Sequence, residues 1–126
     1  MSKEILIVDD NPQERKLADV YFSKEGYSVD LAKDSLEAKA KLAQKKYDLV
    51  ITDIMMPIES GRDLAIYIKK HYGTPVILAS AYVPSISEQK KYIRATGALG
   101  FIIKRLLPYK VEEVLQERNI MLGYCA

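Results

Sequence analysis

Five short, strand-like runs, each followed by a segment with helical spacing, constrain the fold of this chain more than any other feature. The runs cover residues 5–8, 27–31, 49–51, 76–79 and 101–103. Continuous apolar runs such as the first are typical of strands buried on both faces of a parallel sheet. Because helical crossovers between parallel strands are right-handed, we predict five strand-helix units with helices on both faces of the sheet.

Capping residues and apolar spacing predict where the helices lie between these runs. Asn11, followed by Pro12 and Glu14, has the pattern of a capping box with proline at the first helical position. A fifth helix is predicted to begin at Pro108, and Leu107 offers no capping oxygen before it. The predicted apolar faces are Leu17, Val20 and Tyr21 in the first helix, Leu36, Ala40 and Ala43 in the second, and Leu64, Ala65 and Ile68 in the third.

Length and composition exclude several classes of protein. The 126 residues fit one domain, so we expect a single domain over residues 1–126 without an output domain. A net charge of +2 is too small to indicate nucleic-acid binding. The single cysteine, Cys125, allows no internal disulfide and suits a reducing compartment. No apolar run reaches the roughly 18 residues of a membrane span, and no signal-peptide pattern is present, so we expect a cytoplasmic protein.

Polar residues follow four of the five runs. Asp9 and Asp10 follow the first run, Asp53 the third, Ser80 the fourth and Lys104 the fifth. Ligands of open parallel sheets bind beyond the carboxyl ends of the strands, so these side chains are expected to share one pocket. Three carboxylates repel one another unless a hard divalent cation such as magnesium binds them. A carboxylate beside magnesium can attack phosphorus, and a lysine and a hydroxyl can bind phosphoryl oxygens.

Four segments together resemble the receiver domain of two-component response regulators. They are 5–10 (ILIVDD), 49–61 (LVITDIMMPIESG), 75–81 (PVILASA) and 97–104 (GALGFIIK), and the resemblance covers essentially the whole chain. It implies a flavodoxin-like, doubly wound α/β fold of three layers, with strand order 2-1-3-4-5 and five helices. It also implies a stand-alone response regulator that acts in phosphorelay signal transduction.

The resemblance implies a role for seven residues. Asp53 is the implied phosphoacceptor. The implied magnesium ligands are Asp10, Asp53 and the Met55 carbonyl, together with Asp9, which acts largely through water. Ser80 and Lys104 are implied to contact the phosphoryl group, and Phe101 is the implied aromatic switch. A histidine kinase or phosphotransfer protein is the implied donor, and a protein target is implied downstream. Such a domain catalyses only its own phosphoryl transfer and dephosphorylation, so we do not expect an enzyme acting on other substrates.

One departure from the family keeps other interpretations open. Arg105 stands where the family has a proline that follows a cis peptide bond. Before a residue other than proline, a cis peptide bond costs about 3 to 4 kcal/mol. The Lys104-Arg105 bond is therefore predicted to be trans. The alternatives are a receiver-like interaction module that does not use phosphorylation, or a small magnesium-dependent phosphatase with an aspartate nucleophile.

Single residues also have simpler interpretations. Asp9 and Asp10 alone could be turn residues, and Phe101 alone could be a core residue. The one histidine, His71, is expected to face solvent near the end of the third helix. Lys90, Lys91 and Arg94 are predicted to lie close together on the fourth helix, either as part of a partner surface or as a solvated face.

Overall fold

The computed structural model describes residues 3–82, 84–104 and 113–114. Five parallel strands form one sheet in the order β2-β1-β3-β4-β5. The strands are β1 Glu4–Val8, β2 Ser28–Ala32, β3 Leu49–Asp53, β4 Val76–Ser80 and β5 Gly100–Ile103, and the helices are α1 Pro12–Lys24, α2 Ser35–Gln44, α3 Gly61–His71 and α4 Ile86–Thr96. The predicted parallel, doubly wound sheet with strand order 2-1-3-4-5 is confirmed.

Parts of the prediction lie outside the described residues. The predicted start of a fifth helix at Pro108 and the Lys104-Arg105 bond both fall there, as does Cys125. Within the described range, Glu113 and Val114 are helical. Val114 packs against the same side of the sheet as α1.

Alternating side chains of the strands build a separate core on each face of the sheet. Leu6 and Val8 of β1 belong to one cluster, which α2 and α3 cover with apolar side chains. Ile5 and Ile7 belong to the other cluster, which contains Phe22 of α1. Since successive side chains of a strand point to opposite faces, the helices form two outer layers around a central sheet.

The apolar face predicted for the first helix is confirmed at Tyr21 but wrong at Leu17 and Val20, and the face predicted for the second helix is wrong. In α1, Leu17 and Val20 are 69% and 56% exposed, while Phe22 is buried and Tyr21 packs beside it. Each residue advances a helix by 100°, so Val20 lies about 200° from Phe22, on the far side. The buried Phe22 therefore sets the orientation of the helix and leaves the smaller aliphatic residues in solvent.

The second helix differs from its prediction for the same reason. Leu36, Ala40 and Ala43 are exposed, whereas Ala38 and Leu42, which lie four residues apart, are buried. Residues i and i+4 share one face of a helix, so this pair places Leu36 away from the sheet. In α3 the predicted buried residues Leu64, Ala65 and Ile68 are confirmed. Among the described residues, no helix is long and apolar enough to cross a membrane.

Candidate functional site

Four strands deliver polar side chains to one edge of the sheet. Asp9 directly follows β1, Asp53 ends β3, Ser80 ends β4 and Lys104 directly follows β5. These strands are neighbours in the order β1-β3-β4-β5, and they run parallel, so their carboxyl ends meet. The polar ends therefore form a single site at the edge where ligands of such sheets bind.

A nearly buried lysine connects two of the carboxylates. The Lys104 Nζ lies 2.8 Å from Asp9 Oδ2 and 3.0 Å from Asp53 Oδ2. The Lys104 side chain is only 9% exposed, and both aspartates are buried. Burying a charge is costly unless it is paired, so Lys104 is the group that makes two buried carboxylates tolerable.

The negative charge of the site is only partly offset. Asp9, Asp10 and Asp53 each offer a carboxylate oxygen, and the three oxygens lie within 4.8 Å of one another. Among the described residues, the ammonium of Lys104 is the one cation that forms an ion pair with these carboxylates, so three carboxylates share one paired cation. Asp10 is exposed and opens the cluster to solvent. Several carboxylate oxygens with access to water are the donor set that magnesium prefers, so these residues fit a hard divalent cation.

Burial and charge shift the pKa values of the two central groups. Burial raises the pKa of Asp53, and the nearby charge of Asp9 raises it further. The hydrogen bond and the charge of Lys104 lower the pKa of Asp53, but the net direction is upward from the ordinary 3.8. Burial alone would lower the pKa of Lys104, yet its hydrogen bonds to Asp9 and Asp53 prevail and raise it above 10.5. Lys104 is therefore firmly cationic at neutral pH, whereas the anion of Asp53 is held less stably than in solvent.

A tight turn after β1 fixes Asp9. The Asn11 backbone N–H donates to Asp9 Oδ1 at 2.9 Å, and Arg15 Nη1 donates to the Asp9 carbonyl oxygen at 2.7 Å. The Asn11 side chain accepts from the N–H groups of Gln13 and Glu14 and so caps α1. The predicted N-cap is confirmed, but the Asn11 N–H that a capping box would pair with Glu14 is bonded to Asp9 instead. The start of α1 thereby orients a carboxylate of the site.

The other predicted site residues, Ser80, Met55 and Phe101, differ in burial and in their contacts. Ser80 is buried, and its Oγ accepts a hydrogen bond from the Tyr82 N–H at 3.0 Å. Met55 has an exposed side chain, while its backbone N–H lies 3.4 Å from Asp53 Oδ1. Phe101 is half-buried on β5, and its ring centroid lies 5.7 Å from that of Tyr92 on α4.

Gly61 is a residue whose importance the sequence did not reveal. A Cβ at this position would overlap the backbone carbonyl oxygen of Asp53. The Gly61 N–H donates to the Ile54 carbonyl oxygen at 2.9 Å, which holds the start of α3 against the end of β3. Only glycine allows this close approach of two backbone segments. The glycine could be located in the segment 49–61, but its spatial neighbour could not.

We expect Gly61→Ala to destabilise the fold by about 2 kcal/mol, because the new methyl group must displace the backbone of Asp53. Urea unfolding measures this cost. Gly73→Ala is the comparison: unlike Gly61, Gly73 has a positive φ, of 67°, but a Cβ there would meet no atom within 4 Å. Its cost should be about 1 kcal/mol, from backbone strain alone. Equal costs for the two variants would contradict the steric explanation.

A histidine-based catalytic arrangement does not form among the described residues. His71 is exposed at the carboxyl end of α3, with its ring centroid 4.3 Å from that of Tyr67. Because α3 begins beside Asp53 and returns toward the start of β4, His71 lies at the opposite edge from Ser80. The predicted solvent-facing position of His71 is confirmed.

The fold and the site define a class of protein: a doubly wound parallel α/β domain with an acidic pocket and a buried lysine at the carboxyl edge of its sheet. The sequence model described as response regulator receiver domain matches residues 5–116 of the chain. The chain therefore belongs to the receiver domain family of two-component response regulators.

Two similar proteins are transcriptional regulators that are longer than this chain. The transcriptional regulatory protein ResD of Bacillus subtilis (strain 168) is 32% identical over 108 residues, which cover 86% of this chain and 44% of that protein. The transcriptional regulatory protein SrrA of Staphylococcus aureus (strain NCTC 8325 / PS 47) is 30% identical over 111 residues, covering 88% of this chain and 45% of that protein. The chain thus spans less than half the length of these curated relatives.

Two solved structures have the same fold. The chemotaxis response regulator CheY4 of Vibrio cholerae has a TM-score of 0.81 and 28% identity, covering 93% of this chain and 98% of that chain. The response regulator TrrA of Thermotoga maritima, in complex with Mg(2+)-BeF, has a TM-score of 0.77 and 34% identity, covering 91% of this chain and 97% of that chain.

Proposed function

We propose that this receiver domain accepts a phosphoryl group on Asp53 from a histidine kinase or a histidine phosphotransfer protein. The modified domain then signals through phosphorylation-dependent protein binding or passes the phosphoryl group along a phosphorelay. The observation that carries the proposal is the buried Lys104, whose ammonium bridges Asp9 and Asp53 at the edge where ligands bind. Receiver domains are in general signalling modules, not enzymes acting on other substrates.

Magnesium is the cofactor that the donor set favours. Asp10, Asp53 and the Met55 carbonyl would hold it directly, and Asp9 largely through water. When bound, the ion would offset the repulsion among the carboxylates and neutralise charge on the phosphoryl oxygens. The complex of the similar regulator TrrA with Mg(2+)-BeF supports this proposal.

Asp53, Lys104 and Ser80 have different roles in the proposed phosphoryl transfer. An Asp53 carboxylate oxygen forms the new bond to phosphorus, while the bond from phosphorus to the donor's imidazole nitrogen breaks. Lys104 donates a hydrogen bond to Asp53 and is therefore placed to contact a phosphoryl oxygen. Its positive charge would stabilise the negative charge that develops on the phosphoryl oxygens. Ser80 Oγ accepts from the Tyr82 N–H, so its own O–H can donate to a phosphoryl oxygen.

Phe101 is the proposed element that reports phosphorylation. It lies on β5, three residues before Lys104, and its half-buried ring contacts Tyr92 on α4. An inward rotation of the ring would remove this contact and change the surface near α4. Phosphorylation at Asp53 would thereby alter a face that a protein target can recognise.

We expect Asp10→Asn to weaken magnesium binding by about tenfold or more, because a neutral amide replaces an exposed carboxylate of the cluster. Titration calorimetry with magnesium chloride measures the affinity. Asp63→Asn, which alters an exposed carboxylate in the first turn of α3, serves as the control and should leave the affinity unchanged. Unchanged affinity in Asp10→Asn would remove this residue from the metal site.

Incubation with magnesium and a small phosphodonor separates the proposed function from its rivals. Intact-mass spectrometry should show one added, acid-labile phosphoryl group per chain. No adduct under these conditions would favour a module that does not use phosphorylation. Multiple turnover on phosphate esters would favour a phosphatase.

A further inference from the structure

A groove between α3 and α4 lies outside the phosphoryl site. It consists of two adjoining depressions of about 310 and 300 Å³ that share Ala95 as a lining residue. Tyr92 lines the first depression and Ile66 the second. We call this surface the α3–α4 groove. Because it is open and extends over two depressions, it suits a segment of chain better than a single small ion.

The groove concentrates positive charge. Its cationic lining residues are Arg62, Lys69, Lys70, Lys91 and Arg94, and its acidic lining residue is Glu88. All five cations are exposed, and no described carboxylate forms an ion pair with any of them. Other surface lysines of the described chain do pair, as Lys39 does with Glu59. Since the whole chain carries only +2, the groove is far more basic than the molecule around it.

Apolar side chains lie among these cations. Ile66 is 39% exposed in the second depression, and Ala95 is exposed at the junction of the two. Tyr92 is half-buried in the first depression and packs on Phe101. A surface that combines unpaired cations with apolar contact area is complementary to a peptide that carries both carboxylates and an aliphatic side chain.

We propose that the α3–α4 groove binds an acidic segment of a partner protein. Carboxylates of that segment pair with Lys69, Lys70 and Arg94, and an aliphatic side chain of the segment contacts Ile66. Nucleic acid is a poorer occupant, because Glu88 would repel a phosphate backbone and the apolar surface would have no counterpart on it. The test below uses the unmodified protein, so its outcome is distinguishable from that of the function proposed for Asp53.

The test uses a short fluorescein-labelled peptide of glutamate and leucine, with fluorescence anisotropy on the unmodified protein. Lys69→Glu combined with Arg94→Glu should weaken binding by about tenfold or more, because attraction becomes repulsion. Lys16→Glu combined with Lys24→Glu changes the net charge equally on α1, in the opposite layer, and should change affinity by about twofold at most. Circular dichroism checks that both double variants remain folded.

A further variant tests the apolar contact without changing charge. Ile66→Ser should weaken binding severalfold, since it removes aliphatic area from the groove. Equal weakening by the two charge-reversal pairs would overturn the proposal in favour of non-specific attraction, and the absence of measurable binding would overturn it outright. Tighter binding of single-stranded oligothymidylate than of the peptide, insensitive to Ile66→Ser, would assign the groove to nucleic acid instead.

Discussion

Replacing Asp53 with asparagine is expected to abolish phosphoryl acceptance while leaving the fold intact. The amide has no carboxylate oxygen to attack phosphorus, but it fills the same space and can still accept the hydrogen bond from Lys104. Intact-mass spectrometry after treatment with magnesium and a phosphodonor measures acceptance. Asp63→Asn, an exposed aspartate on α3, is the matched control and should accept one phosphoryl group like the unaltered protein. An acid-labile phosphate on Asp53→Asn would show that another side chain is the acceptor.

The same substitution should also raise stability at neutral pH. Because burial raises the pKa of Asp53 above 3.8, the folded state binds this proton more tightly than the unfolded state. The unaltered protein therefore loses stability as pH rises from 3.8 through the raised pKa, and the variant avoids this loss. We expect a gain in the free energy of unfolding at pH 7 that disappears in acid. Urea unfolding at neutral and at acid pH measures the gain, and a loss of stability at pH 7 would contradict the unfavourable burial of the Asp53 anion.

Replacing Lys104 with methionine is expected to reduce the free energy of unfolding by about 3 kcal/mol at pH 7, because two buried carboxylates lose their shared cation. Urea unfolding measures this cost. Lys45→Met is the matched control, since Lys45 also bridges two carboxylates, Glu4 and Asp30, but is far more exposed. Its cost should be clearly smaller, because ion pairs of exposed side chains contribute little to stability.

The pH dependence of the Lys104→Met variant distinguishes lost charge pairing from lost packing. Without Lys104, burial and the charge of Asp9 raise the pKa of Asp53, and the hydrogen bond from the Met55 N–H is the smaller influence that lowers it. The variant should regain stability as pH falls through that raised pKa, so its deficit against the unaltered protein should shrink as pH is lowered from 7 toward 3.8. Added magnesium should also reduce the deficit. A deficit that changes with neither pH nor magnesium would indicate a purely steric role for the lysine.

The sheet and the meeting of its polar ends were predictable because both follow from local patterns. Buried parallel strands are continuous apolar runs, and parallel neighbours bring their carboxyl ends to the same edge. From this alone Asp9, Asp53, Ser80 and Lys104 were expected at one edge, where the structure has them. Their chemical roles, and that of Asp10 as a metal ligand, stay predictions for the experiments above.

The orientation of the helices and the close contacts around Asp53 depend on tertiary packing, which the apolar pattern does not contain. Leu17 and Val20 satisfy helical spacing, yet Phe22 fits against the sheet and turns them outward. In the sequence, Gly61 is an ordinary residue at the start of a helix. Its close approach to the Asp53 carbonyl is visible only in the structure. The bond from Arg15 to the Asp9 carbonyl likewise appears only when the turn between them is formed.

Reductive trapping of the modified residue tests the central claim most directly. Borohydride converts an aspartyl phosphate to homoserine, and peptide mass spectrometry then identifies the altered position. After treatment with magnesium and a phosphodonor, we predict homoserine at position 53 and nowhere else. Homoserine at Asp9 or Asp10, or a phosphate retained on Ser80, would contradict the assignment of Asp53 as the phosphoacceptor.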